Sequence, residues 1–149
     1  MRKGMLWIIV ALLLLAPVRA AAATEASIYL ETIGGFAHNY LYMTYAYIGV
    51  TADAYAKEIY PASYVKRMMG DTVRTLDILA RKLQTVQETN LEEEDRKAIE
   101  YIVETFGLLK EEAEALAALV ESGDQTALDR YDQARKKARD HLKRVQQMK

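Results

Sequence analysis

Hydrophobic positions recur along most of this chain at alternating spacings of three and four, the period of an amphipathic helix. The pattern is cleanest in Val65, Met69, Thr72, Leu76, Leu79, Leu83 and Val86, which make one continuous seam. Lys66, Arg67, Arg74, Asp77, Arg81 and Lys82 fall on the other faces, so one side of this helix is core and the rest meets water. Another stripe runs through Ala98, Ile102, Thr105, Leu109, Ala113, Leu116 and Val120, flanked by Tyr101, Phe106 and Leu108. The last runs through Leu128, Tyr131, Ala134, Ala138, Leu142 and Val145. No strand is predicted.

Breaker residues divide the stripes. Pro61 forces the residue before it out of the helical region, which ends the preceding helix near Ile59 and leaves Ser63 to cap the next. Asn90, with Glu93 three residues on, reads as a capping box, and Glu92 to Asp95 place negative charge at the positive end of the helix dipole. Gly123 suits the left-handed position that closes a helix, and Asp124 or Ser122 can cap the one that follows.

The stretch from Ser27 to Tyr60 breaks this pattern. It has no formal charge between Glu31 and Asp53, only His38, and it holds Tyr40, Tyr42, Tyr45 and Tyr47. On a helical wheel, Tyr29, Ile33, Phe36, Tyr40, Met43, Tyr47, Val50 and Ala54 make one broad face. Leu30, Gly34, Ala37, Leu41, Tyr45, Ile48, Ala52 and Ile59 make the adjoining one, and both are expected to be core. The remaining strip, from Thr32 to Asp53, is small or polar but uncharged.

Ahead of this helix, Arg2 and Lys3 precede an apolar run from Met5 to Ala16, closed by Pro17 and followed by Ala20 to Ala23. That is the layout of a secretory signal peptide, and the run is shorter than the ~20 apolar residues a bilayer requires. The expected organisation is a leader over residues 1–23 and a single domain over 24–149. The expected fold is all-α, an up-down-up-down four-helix bundle preceded by a cleavable signal peptide. Export follows, with the periplasm favoured over full secretion and no stable membrane span after cleavage.

Composition removes several chemistries. The chain has no cysteine, which excludes disulfides, thiolate metal sites, covalent haem and a lipid-modified cysteine. A net charge of −1 gives no sign of nucleic acid as a partner. The distribution is uneven: Leu91 to Ser122 carries ten acidic and three basic residues, Gln125 to Lys149 three and eight. These two helices are expected to lie antiparallel with opposite charges facing. The glutamates read as solvated, and the basic face of the last helix reads as their partner. No Glu-x-x-His, nucleophile elbow or phosphate loop occurs, so the chain is expected not to be an enzyme.

Two binding readings remain. The first is a protein–protein or self-association surface on the uncharged strip of the first helix, at Gly35, Asn39, Tyr42, Ala46 and Gly49. Small residues allow close helix approach there, and tyrosine is enriched at interfaces. The alternative is a carrier of b-type haem, metal or a small ligand between the first and last helices, with His38, Met43 and His141 as ligands. That setting resembles exported four-helix b-type cytochromes in architecture alone. Taken by themselves, His141 reads as a partly exposed surface residue and His38 as a hydrogen-bonding member of a Tyr-rich core.

Overall fold

The computed structural model describes the backbone of residues 3–147 and the side chains of residues 28–144, except that of Leu30. It holds four helices and, among the described residues, no strand: α1 (Lys3–Ala56), α2 (Ala62–Gln87), α3 (Glu93–Ser122) and α4 (Gln125–Gln147). The expected signal peptide has its side chains outside the described residues. The backbone divides into two compact units, Met1–Phe36 and Ala37–Lys149. The boundary lies well past the expected cleavage region. In the first unit, Ile28, Tyr29, Ile33 and Phe36 are all exposed.

The second unit owns the core. The predicted seams supply it: Val65, Met69 and Leu76 from α2, Leu109, Ala113, Leu116 and Val120 from α3, and Tyr131, Ala134, Ala138 and Leu142 from α4. Leu41 and Ile48 of α1 complete it, with at most 1% of their surface exposed. Fully burying a Leu or Ile side chain stabilises by about 1.5–3 kcal/mol, so these two residues anchor α1.

Ion pairs give the helix directions. Lys66 Nζ meets Glu121 Oε1 at 2.7 Å and Lys110 Nζ meets Asp77 Oδ1 at 2.9 Å, which sets the start of α2 beside the end of α3. Glu112 with Arg135, and Glu104 with His141, set α3 and α4 antiparallel in the same way. The expected facing charges of α3 and α4 thus include one pair whose carboxylate is buried and whose guanidinium is partly buried, rather than solvated. On α1, the Tyr40 ring meets Phe106 of α3 edge-on, with centroids 6.1 Å apart.

The breaks differ in detail from the predicted ones. Helix α1 ends at Ala56, where Glu58 adopts a left-handed φ of 58° and the Ile59 N–H returns to the Ala54 carbonyl at 2.8 Å. Ile59 therefore leaves the helix before Pro61 is reached, and is exposed instead of core. Pro61 itself holds the N-cap position of α2, extended at φ −72° and ψ 151°, and its carbonyl accepts from the Tyr64 and Val65 N–H groups. Ser63 falls one residue inside the helix. Glu92, not Asn90, precedes α3, extended at φ −61° and ψ 151°, and makes no side-chain cap. Gly123 closes α3 at φ 65°, and Asp124 Oδ1 caps α4 by accepting the Ala127 N–H at 2.8 Å.

Candidate functional site

Within the second unit α1 shows two chemically different sides. Its inward edge carries Leu41, Thr44, Ile48 and Thr51, all buried at alternating spacings of three and four. The Thr44 and Thr51 hydroxyls donate to the Tyr40 and Tyr47 carbonyls one turn back, both at 2.8 Å, so these polar groups are satisfied inside their own helix.

The outward side corrects the expected wheel. Met43 and Val50 are 67% and 66% exposed, and Tyr40 and Tyr47 are 38% and 43% exposed. This is the broad face that was expected to be core. The reason is geometric. Leu41, Thr44, Ile48 and Thr51 form a narrow seam, and the neighbouring helices cover only that seam and its flanks. A wheel with two apolar arcs cannot say which arc the neighbours take.

The expected interaction strip is divided. Asn39 and Tyr42 are exposed, Ala46 is half-buried and Gly49 is buried. Gly35 belongs to the other unit, is exposed, and would have nothing within 4 Å of an added Cβ. Gly49 has an internal role. A Cβ at that position would lie 2.7 Å from Cζ and 2.8 Å from Nη1 of Arg135, so the missing side chain is what lets the guanidinium rest on α1.

Arg135 is the centre of a partly buried polar cluster joining α1, α3 and α4. Its Nη1 donates to Glu112 Oε1 at 2.6 Å, and its guanidinium carbon lies 4.3 Å from the centroid of the Tyr45 ring. Nη1 also approaches the Tyr45 carbonyl at 3.5 Å. Glu112 has no exposed surface, and its Oε2 has no hydrogen-bond partner. Burial pushes the Glu112 carboxyl up to about 7, and the Arg135 hydrogen bond and charge only partly oppose it. Burial also works against the charge of Arg135, but Tyr131 and the Glu112 hydrogen bond outweigh that and leave its pKa raised. Arg135 therefore stays a cation, and Glu112 is the member that titrates. Burial pushes the neighbouring Tyr131 phenol up as well. Sequence reasoning missed this cluster by counting Glu112 among the solvated glutamates. One signal was available: Glu112 sits three residues past Leu109 and four before Leu116, on the seam itself.

The three candidate haem or metal ligands have separate settings. His38 is half-buried on α1, and Met43 lines an open groove between α1 and α2. His141 is buried, contrary to expectation, with its ring stacked on Tyr101 of α3 at 4.0 Å and 13°. The Tyr101 hydroxyl donates to the His141 carbonyl. His141 Nε2 lies 3.8 Å from the Glu104 carboxylate and makes no hydrogen bond. Among the described residues no group of three or more His, Cys, Asp or Glu side chains is placed to hold a metal ion.

The groove beside Met43 has a volume of about 380 Å³. Tyr40, Met43, Thr44 and Tyr47 form its α1 wall, and Met68, Asp71, Thr72 and Thr75 its α2 wall. No family model, no curated protein and no solved structure matches this chain.

Proposed function

We propose that this chain is an exported, non-catalytic four-helix bundle of up-down-up-down topology that self-associates through the outward face of α1. The observation that carries the reading is the unburied stripe of Tyr40, Met43, Tyr47 and Val50, continued to one side by Asn39 and Tyr42. These are large apolar or amphipathic side chains on a helix with no formal charge between Glu31 and Asp53. Interfaces favour aromatic residues and methionine and deplete charge at their centre. The occupant that fits is a second copy of the chain. A neutral face meets itself across a two-fold axis without like-charge repulsion, and isologous dimers are the commonest assembly. The α2–α3 and α3–α4 ion pairs, with the core placement of Leu41 and Ile48, support the bundle topology.

Export rests on Arg2 and Lys3, the apolar run from Met5 to Ala16 and the alanines at 20–23. Periplasmic residence is part of the same proposal. Among the described residues no helix is long and apolar enough to cross a membrane.

Val50→Glu tests the association. It puts a charge on the face without touching the core, since Val50 is two-thirds exposed. Light scattering across a size-exclusion peak, at high micromolar concentration, is expected to give a dimer mass for the natural chain and a monomer mass for the variant. A monomer mass for both sinks the proposal.

A further inference from the structure

The groove between α1 and α2 is lined by tyrosine, methionine, threonine and one aspartate. Its three threonines spend their protons inside their own helices: Thr44 donates to the Tyr40 carbonyl at 2.8 Å, Thr72 to Met68 at 2.9 Å and Thr75 to Asp71 at 2.9 Å. Their hydroxyls can therefore face a ligand only as acceptors. Met43 and Met68 add polarizable thioethers, and Tyr40 and Tyr47 add ring faces with negative quadrupoles. Among the described residues Asp71 is the one formal charge in the lining, and no basic side chain contributes to it. Arg74 lies 3.9 Å from Asp71, but both side chains are largely exposed, at 77% and 66%, so this pair leaves the carboxylate available.

Two further observations agree. Burial, then Tyr64, Tyr60 and Asp71, push the Tyr47 phenol above its ordinary value, so the carboxylate is felt at the ring across the groove. Beside them Arg67 already sits over the Tyr64 ring, 5.1 Å from its centroid, and Tyr60 packs edge-on against Tyr64 at 5.0 Å. The volume falls in the ~300–1,000 Å³ range of small-ligand sites.

We propose that this groove binds a small organic cation, an alkylated ammonium on a short apolar stem, with its charge against Asp71 and its alkyl groups on Tyr40, Tyr47 and the two methionines. The lining offers threonine acceptors, ring faces and one negative charge, a set that suits a cation better than an anion. The groove shares Tyr40, Met43 and Tyr47 with the self-association face, so a ligand there and a second copy of the chain compete for it.

The test is an NMR titration of the natural chain and of Val50→Glu with choline, and with its neutral isostere 3,3-dimethyl-1-butanol. Choline is expected to give saturable shifts at the amides of Tyr47 and Thr72, with the isostere weaker by about fivefold or more. Asp71→Asn is expected to weaken choline by about fivefold while leaving the rest of the spectrum unchanged. Val50 lies outside the groove lining, so Val50→Glu is expected to bind choline as a monomeric natural chain would, and more tightly than a natural chain whose dimer covers Tyr40, Met43 and Tyr47. Failure of the dimer and failure of the site therefore read out separately. Absence of saturable shifts in Val50→Glu, equal affinity for the neutral isostere, or an unaltered Asp71→Asn would each overturn the proposal.

Discussion

Gly49 and Arg135 divide one small volume between them, and the consequence runs against helix propensity. Alanine at an interior helix position is ordinarily better than glycine by about 1 kcal/mol. Here the added methyl would meet Cζ of Arg135 at 2.7 Å. The guanidinium cannot swing away freely, because Glu112 holds it at 2.6 Å and the Tyr45 ring lies beneath it. Gly49→Ala is therefore expected to destabilise the fold by about 1–3 kcal/mol, read as a lower midpoint in urea unfolding. A stabilised variant would mean that Arg135 is not fixed by its partners. In the sequence Gly49 reads as a small residue open to another chain, because the wheel of one helix contains no information about Arg135. Glu112 reads as solvated for the same reason. Its position on the seam was visible; the cation that makes such a position tolerable was not.

The helices themselves were largely legible. Most of the seams on α2, α3 and α4 are found where spacing put them, since a face with a three-and-four repeat can bury itself only in helical form. Val86, Ala98 and Leu128 at the helix ends are exposed, however, and Ile99 is buried instead of Ala98. Boundaries were legible where one residue type dominates the local physics. Gly123 takes the left-handed backbone that penalises other residues, and Asp124 satisfies an orphan N–H of α4. Asp124→Ala is expected to cost about 1 kcal/mol, measured as a loss in thermal midpoint, while Ser122→Ala should cost less. This contrast separates the two caps that sequence left open. Boundaries were not legible where tertiary contacts choose among neighbours. Arg96 Nη1 donates to the Gln87 carbonyl at 3.0 Å, joining the α2–α3 turn in a way that no cap rule foresees. The start of α3 accordingly falls two residues later than the capping box at Asn90 suggests.

At the scale of the whole molecule, the Glu112–Arg135 cluster ties α1, α3 and α4 to pH. The carboxyl of Glu112 is raised from 4.5 to about 7 in the folded chain, so the fold binds a proton there that the unfolded chain releases earlier. Its contribution to stability is fully present below about pH 4.5 and is lost as pH rises through about 7. Glu112→Gln removes the titration and keeps an acceptor for Arg135. Relative to this variant, the natural chain is expected to lose on the order of 3 kcal/mol across that window. Urea unfolding of both chains at pH 5 and pH 8 measures the difference. An unchanged gap between the two, or a gap that moves the other way, would show that Arg135 holds Glu112 ionised throughout. The outward face of α1 belongs to this scale too, since only an assembled molecule would cover it.

The chain's own order of residues determined that this protein is helical, where the core seams of α2, α3 and α4 run and that Pro61 and Gly123 interrupt the helices. Each of these depends on near neighbours, through a repeat of 3.6, a fixed proline φ or a glycine without a Cβ. Only the tertiary structure decided which arc of α1 is inside, that Gly49 makes room for Arg135, that Glu112 and His141 are buried, and that Asp71 shares a groove with Tyr40 and Tyr47. Those facts depend on residues up to ninety positions apart, as for Arg135 and the Tyr45 carbonyl. A helical wheel orders the side chains around one axis. What lies opposite each of them is set by the packing of the other three helices.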